Sequence, residues 1–160
     1  MKELNVNLKM VCFDMDGTIA DLYGVEGWLS MLRNENPLPY EIAKPMWDMK
    51  ALADVLMALK LAEVEIRIIS WLSKDSSEEY KDAVRKAKLE WLVENGFPFD
   101  KVHFVQYGAT KADSVRRYLA DDECAILVDD NAKVCNGWHL GETINPTECD
   151  LIATLKSLLG

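Results

Sequence analysis

Short apolar segments alternate with helical patterns along most of this 160-residue chain, and this alternation constrains the fold more than any other feature. Apolar or β-branched runs predict strands at residues 8–13 (LKMVCF), 64–70 (VEIRIIS), 102–105, 124–128 (CAILV) and, in a shorter form, 143–144. Strands that are apolar almost throughout and separated by helices are typical of a parallel sheet covered on both faces. The sequence therefore predicts an α/β fold of three layers with a mainly parallel central sheet.

Apolar residues three and four positions apart predict helices between these strands. The predicted helices lie near residues 47–62, around 80–91, from 111 to about 119, and over 151–159. The capping-box pattern Ser76-x-x-Glu79 predicts the start of the second helix, and Gly96 predicts its end. Thr147-x-x-Asp150 predicts the start of the last helix in the same way.

A single domain over residues 1–160 is the expected organisation, because the chain carries no repeat, low-complexity tract or flexible linker. Residues 19–46 lie between the first strand and the helix that leads to the second, and three prolines interrupt them. Such a segment is long enough for a flap and a small helical cap. It is too short for a separately folded cap domain.

Charge and cysteine usage exclude several classes of function. The 18 Lys and Arg residues against 27 Asp and Glu residues give a net charge of −9, which disfavours binding to an extended nucleic acid. The four cysteines form no CxxC pair, and two of them lie in apolar runs, so we expect a protein of the reducing cytoplasm. The first ten residues lack the apolar core of a signal peptide, and no later stretch predicts a membrane anchor.

Polar side chains of three chemical kinds stand at the carboxyl ends of the predicted strands or, for Lys111, at the start of the predicted helix before the fourth strand. Because these ends meet at one rim of a parallel sheet, four carboxylates, one hydroxyl and one ammonium should converge there. The six residues are Asp14, Asp16, Asp129, Asp130, Ser70 and Lys111.

Four clustered carboxylates repel one another unless a cation lies among them, and an all-oxygen ligand set favours Mg²⁺ over zinc. With that ion, Lys111 and Ser70 can hold a phosphate dianion. Asp14 can then attack phosphorus as a nucleophile. Asp16, two residues on, returns to the same side of an extended backbone, where it can protonate the leaving oxygen and later deprotonate water.

The same residues carry a resemblance to a known family. D-M-D-G-T at 14–18, Ser70 after a strand, Lys111, and the pair at 129–130 resemble, in this order, the four motifs of the haloacid dehalogenase superfamily of phosphotransferases. The match extends from the first strand to the end of the fourth. It implies a Rossmann-like sheet with the first strand central, an aspartyl-phosphate intermediate and Mg²⁺.

The resemblance also implies a role for each matching residue. Asp14 resembles the nucleophile and a metal ligand, and Asp16 resembles the acid/base whose backbone carbonyl also binds the metal. Ser70 and Lys111 resemble the pair that holds the phosphate, while the two carboxylates after the fourth strand resemble a second metal ligand and a supporting or water-mediated one. The predicted metal ligands are Asp14, Asp16, Asp129 and Asp130, and the predicted substrate contacts are Thr18, Ser70, Trp71 and Lys111.

The expected substrate is a small phosphomonoester such as a nucleotide. Tyr23, Trp28 and Trp71 are placed to line the mouth of the site and stack on a ring, although ordinary packing also explains each of them. The start D-M-D-G-T-I-A-D is also similar to small deoxyribonucleotidase-type members of the superfamily. A small substrate would be gripped by the flap or by a neighbouring subunit of a homo-oligomer. An open site would equally admit a macromolecular phosphate, such as a polynucleotide end or a phosphoprotein.

A signalling module is the alternative from another class. A response-regulator receiver also combines acidic residues, a hydroxyl, a lysine and Mg²⁺, but it places its paired acids after strand one and a single acceptor aspartate after strand three. Here Gln106 and Tyr107 follow the third predicted strand. A catalytically silent binding domain is less well supported, because no motif position is substituted.

Overall fold

A five-stranded parallel sheet forms the centre of the protein in the computed structural model, which describes residues 7–160. Its strands are β1 (Leu8–Phe13), β4 (Glu65–Leu72), β5 (Lys101–Gln106), β6 (Cys124–Val128) and β7 (Thr143–Ile144). The strand order is β5-β4-β1-β6-β7, and every neighbouring pair is parallel. The predicted α/β class with a parallel central sheet is confirmed, and all five strands lie within about two residues of their predicted bounds.

Six α-helices accompany this sheet in residues 7–160. They are α1 (Trp28–Arg33), α2 (Leu38–Ile42), α3 (Met49–Leu61), α4 (Glu78–Glu94), α5 (Ala132–Asn136) and α6 (Leu151–Ser157). Within residues 7–160, none of the helices combines the length and apolar character that a membrane crossing requires.

The central strand β1 contributes side chains to two separate cores, as the period of two in a strand requires. Val11 and Phe13 belong to the larger core, which includes residues of α3, α4 and α6. Met10 and Cys12 belong to a second core with Trp138, on the opposite face of the sheet. Burial on both faces explains why this strand reads as one continuous apolar run.

The helix predicted from Lys111 to about Leu119 is wrong. The chain forms two single turns of 3-10 helix there, Lys111–Ser114 and Arg116–Tyr118, separated by Val115 with φ −121°. The Ser114 hydroxyl donates to the Lys111 carbonyl at 2.6 Å, which offers the backbone a local alternative to an α-helical bond. Val115 is fully buried in the second core, and this packing fixes the break in the helix.

The start of α4 lies one residue beyond its predicted position. Ser77 is the N-cap, and its Oγ accepts a hydrogen bond from the Tyr80 N–H at 3.2 Å. Ser76, the predicted cap, instead pairs its hydroxyl with that of Ser73. The chain reverses after α4 at Gly96, whose φ of +69° is one that glycine adopts without strain.

The start of α6 also differs from its prediction, because a competing side-chain hydrogen bond holds the predicted first residue in the preceding loop. Asp150 is the N-cap and accepts from the Ala153 N–H at 3.2 Å. Thr147, the predicted start, donates its hydroxyl to Asn145 Oδ1 at 2.6 Å and lies in the preceding loop. Local side-chain bonds thus decide which of several polar residues caps a helix.

Residues 19–46, which we call the insertion, follow β1 and return to the sheet before α3. The strands β2 (Ala20–Asp21) and β3 (Lys44–Pro45) pair in antiparallel fashion at its base and enclose α1 and α2. Two tryptophan N–H groups fasten this base, because Trp47 donates to the Thr18 carbonyl at 2.8 Å and Trp91 of α4 donates to the Ala43 carbonyl at 2.7 Å. The insertion therefore has short elements of its own and is bonded to the sheet domain.

Candidate functional site

The carboxyl ends of β1, β4 and β6 lie side by side, and the structure brings all six predicted polar residues to this rim. The Asp14 N–H donates to the Val128 carbonyl at 2.9 Å, which joins the end of β1 to the end of β6. A cavity of about 320 Å³ opens at the rim. Its lining includes five of the six: Asp14, Asp16, Lys111, Asp129 and Asp130.

Lys111 is the cation at the centre of the site. Its Nζ donates to Asp14 Oδ1 at 2.7 Å and to Asp129 Oδ2 at 2.9 Å, and its side chain is 2% exposed. Burial lowers the pKa of Lys111, but the charges of the two carboxylates outweigh that effect and raise the pKa above its usual value. Lys111 is therefore an ammonium that fixes the orientation of the Asp14 carboxylate.

Asp14, Asp129 and Asp130 form a compact oxygen cluster, in which one carboxylate oxygen from each lies within 4.8 Å of the others. Thr18 contributes to it, since its hydroxyl lies 2.9 Å from Asp14 Oδ2 and 3.0 Å from Asp130 Oδ1. Because this hydroxyl carries one proton and also accepts the Asp130 N–H at 3.1 Å, it satisfies only one of the two carboxylates at a time.

The electrostatics of this cluster favour a cation. Burial, and then the negative charge of Asp14, raise the pKa of Asp130 to about 6, and the same two causes raise the pKa of Asp129. Carboxylate oxygens are ligands that Mg²⁺ prefers, and each of the three residues offers one to the same small region. The donor set is therefore suited to Mg²⁺.

Asp16 has a different environment from the other three carboxylates. Its Oδ2 accepts a hydrogen bond from Lys88 Nζ at 3.0 Å, and its side chain also lines the cavity. Burial raises the pKa of Asp16, and the Lys88 charge opposes that shift. The Asp16 side chain is thus bound to a lysine and lies outside the three-carboxylate cluster that the structure forms.

Two predicted substrate contacts are buried beneath the cavity surface. Thr18 is fully buried between Asp14 and Asp130, and Ser70 is 1% exposed. The Ser70 Oγ accepts a hydrogen bond from Lys88 Nζ at 2.7 Å. Both hydroxyls are therefore buried and bond to other residues of the site, whereas Trp71 and Lys111 line the cavity directly.

Lys88 is the site residue that the sequence interpretation missed. It lies in the middle of α4, is 0% exposed, and also donates to the Trp71 carbonyl at 3.0 Å. A signal for it exists in the sequence, because Lys88 is four residues after Val84 and four before Leu92, on the apolar stripe of its helix. A lysine at such a position needs a buried partner.

Aromatic side chains form two pairs along the cavity wall. Tyr23 and Trp28 meet edge to face with ring centroids 4.9 Å apart, and Trp71 lies 4.8 Å from Tyr107. The Trp71 N–H donates to the Ala109 carbonyl at 3.1 Å, and Lys111 Nζ lies 5.2 Å from the Trp71 ring. The three aromatic residues predicted at the mouth line the cavity, and Tyr40 and Tyr107 add two that were not predicted to line it.

No protein-family model matches the chain. No curated protein matches it either. Its function is therefore inferred from the residues and geometry of the site.

Proposed function

We propose that this protein is a Mg²⁺-dependent phosphomonoester hydrolase that acts through a covalent phosphoryl group on Asp14. The observation that carries the proposal is the Asp14 carboxylate, held by Lys111 at the wall of a cavity that Asp129 and Asp130 also line. A nucleophile, a fixed cation and a candidate metal site thus share one cavity.

Asp14, Asp129 and Asp130 would hold the Mg²⁺. When bound, the ion supplies positive charge against the transferring phosphoryl oxygens and the crowded carboxylates. The acidic cavity needs that charge, because a phosphate dianion would otherwise meet four carboxylates and the Lys111 ammonium along the cavity wall.

In the first step, an Asp14 carboxylate oxygen attacks phosphorus and the bond from phosphorus to the leaving oxygen breaks. Asp16 gives its proton to that oxygen, so the product leaves as a neutral alcohol. In the second step, water attacks phosphorus and returns a proton to Asp16. The bond between phosphorus and Asp14 breaks, which releases inorganic phosphate and restores the carboxylate.

The remaining residues orient these groups. Lys111 holds Asp14 and contributes its charge to the phosphoryl group, and Thr18 fixes Asp14 relative to Asp130. Ser70 stays a predicted phosphate contact, and its hydroxyl lies just beneath the cavity floor. Trp71 forms part of the wall beside Lys111.

Membership of the haloacid dehalogenase superfamily is part of the proposal. Support comes from the order of the four motifs along the chain and from the position of β1 at the centre of the sheet, between β4 and β6. The insertion would then serve as a flap and minimal cap, because its residues Tyr23, Trp28 and Tyr40 line the cavity.

A small phosphomonoester with a flat ring, such as a nucleotide, fits the cavity better than a long polymer does. The two aromatic pairs line the cavity and offer ring faces for stacking, and a volume of about 320 Å³ suits a small ligand. Turnover of nucleoside monophosphates should exceed that of sugar phosphates, and Trp71→Ala should reduce this ratio while Trp71→Phe preserves it. Equal turnover of both substrate classes, with a ratio that Trp71→Ala leaves unchanged, would exclude a nucleotide preference.

Hydrolysis of p-nitrophenyl phosphate by the purified protein tests the reaction itself. We expect activity with Mg²⁺, its loss on chelation, and a decrease of at least about 10³-fold in Asp14→Asn. Asp54→Asn is the matched control, since this exposed residue of α3 allows the same change outside the cavity lining. Activity of Asp14→Asn at the wild-type rate, or activity that survives chelation, would contradict the mechanism.

A further inference from the structure

Lys88 is a buried cation that the proposed reaction does not use directly. Its ammonium donates to Asp16 Oδ2 at 3.0 Å, to Ser70 Oγ at 2.7 Å and to the Trp71 carbonyl at 3.0 Å. An ammonium has three protons, and each of them has an acceptor here. The side chain is 0% exposed, so it presents no surface to a ligand in the cavity.

The three acceptors come from different parts of the fold. Asp16 lies in the turn after β1, whereas Ser70 and Trp71 belong to β4. A fourth contact comes from the insertion, where the Tyr40 ring of α2 lies 5.0 Å from the same ammonium. Lys88 therefore joins β4, the β1 turn and the insertion at one point beneath the cavity.

We propose that Lys88 is a positioning residue, which holds the Asp16 carboxyl group in the orientation needed to protonate the leaving oxygen. This inference rests on the proposed phosphatase function. Because Lys88 donates to Oδ2, the proton that Asp16 transfers sits on Oδ1, and it moves to the leaving oxygen as the bond from phosphorus breaks. Lys88 itself gives up no proton in either step.

A direct role in phosphate binding does not fit this geometry. A phosphate contact would require Lys88 to release one of its three acceptors and gain access to the cavity. Lys111 already supplies a cation at the cavity surface, next to Asp14. The two lysines therefore have different roles. Lys111 contacts the nucleophile Asp14, and Lys88 contacts the acid Asp16.

The test compares two aryl phosphates whose leaving groups differ in acidity. Phenyl phosphate has a poor leaving group that needs a proton, and p-nitrophenyl phosphate has a good one that hardly needs it. We expect Lys88→Met to lower kcat/KM, which reports the steps up to departure of the leaving group, by about 10²-fold for phenyl phosphate and by less than about 10-fold for p-nitrophenyl phosphate. A general loss of fold or of phosphate binding would lower both by the same factor.

Lys86→Met is the matched control, because it makes the same substitution on an exposed part of the same helix. We expect it to keep the wild-type rates for both substrates. Should Lys88→Met fail to fold, as judged by thermal unfolding, Lys88→Gln replaces it in the test. Its shorter, neutral side chain reaches fewer of the three acceptors and should give the same bias against phenyl phosphate.

The outcomes separate this inference from the function on which it rests. Equal losses for both substrates, or no loss for either, would overturn the positioning role while Asp14→Asn remains inactive. If instead the wild-type protein with Mg²⁺ hydrolyses neither substrate, or Asp14→Asn retains full activity, the phosphatase function fails and the role of Lys88 falls with it.

Discussion

Two buried lysines, Lys88 and Lys111, and four carboxylates determine the charge of the site. Lys111 was predictable because it follows the turn after β5 and matches a motif, whereas Lys88 lies inside a helix with no motif around it. The role of Lys88 depends on the residues that its helix faces in the folded protein, Asp16 and Ser70. The sequence therefore located the carboxylates and one of the two cations that hold them.

Lys111→Met should remove the charge that orients Asp14. We expect hydrolysis of p-nitrophenyl phosphate to fall about 10²-fold or more, because one fixed cation at the phosphoryl group is lost. Circular dichroism should show the secondary structure retained in the presence of Mg²⁺. Lys133→Met, at an exposed lysine after β6, is the control and should keep its activity. The opposite ranking of these two variants would assign the role to Lys133.

His103, which lies outside the cavity lining, should make the free energy of unfolding depend on pH. Burial, followed by the charges of Arg67, Lys101 and Arg117, lowers the pKa of His103 to about 4. The folded state keeps His103 neutral, whereas the unfolded chain takes up the proton near pH 6.5, so stability should fall as the pH decreases from 6.5 towards 4. Urea unfolding of wild type and His103→Gln over this range should show a smaller fall in the variant. Identical pH profiles would contradict the assignment.

At the scale of elements, apolar periodicity located the strands and the longer helices, while local polar bonds decided where helices begin. β1 and β6 have the predicted bounds because they are buried on both faces and bordered by polar residues. The predicted caps of α4 and α6 were displaced because several serines, threonines and aspartates compete at each start. The predicted helix after Lys111 was replaced by two turns because burial of Val115 outweighed the weak helical pattern.

Ser77 should matter more to stability than its neighbour Ser76. Its hydroxyl caps α4 and also donates to Glu35 of the insertion at 2.6 Å, so one side chain supports both elements. We expect Ser77→Ala to lower the free energy of unfolding by about 1 kcal/mol, and Ser76→Ala to lower it by clearly less. Denaturant unfolding of both variants measures the difference. Equal effects would mean that the cap is shared or lies at Ser76.

For the whole molecule, the parallel sheet brings distant parts of the chain to one rim, and the insertion covers that rim with aromatic residues. Asp14 and Asp129 are more than a hundred residues apart in sequence and are joined through Lys111. The order of strand ends predicted this convergence. The detailed placement of Tyr40 and Tyr107 was not predictable, because it depends on how the insertion and the loop after β5 fold over the cavity.

Mg²⁺ should stabilise the folded protein by binding to the three-carboxylate cluster. At about 100 times its Kd the ion contributes about 2.7 kcal/mol, which a rise in Tm would report. Protons compete for Asp130, so the rise should be smaller at about pH 5 than at about pH 7.5. Asp129→Asn should remove most of the effect, and Asp54→Asn should retain it. A rise in Tm that is the same in both variants would place the ion elsewhere.

The central claim is that a phosphoryl group passes through Asp14, and mass spectrometry of the acid-quenched protein during turnover tests it most directly. Wild-type protein mixed with Mg²⁺ and p-nitrophenyl phosphate should yield a peptide that carries one phosphoryl group on Asp14. The modification should be lost on treatment with hydroxylamine, as expected for an acyl phosphate, and should be absent from Asp14→Asn. A phosphoryl group on Ser70 or another residue, or rapid turnover with an unmodified Asp14 peptide at every quench time, would contradict this account.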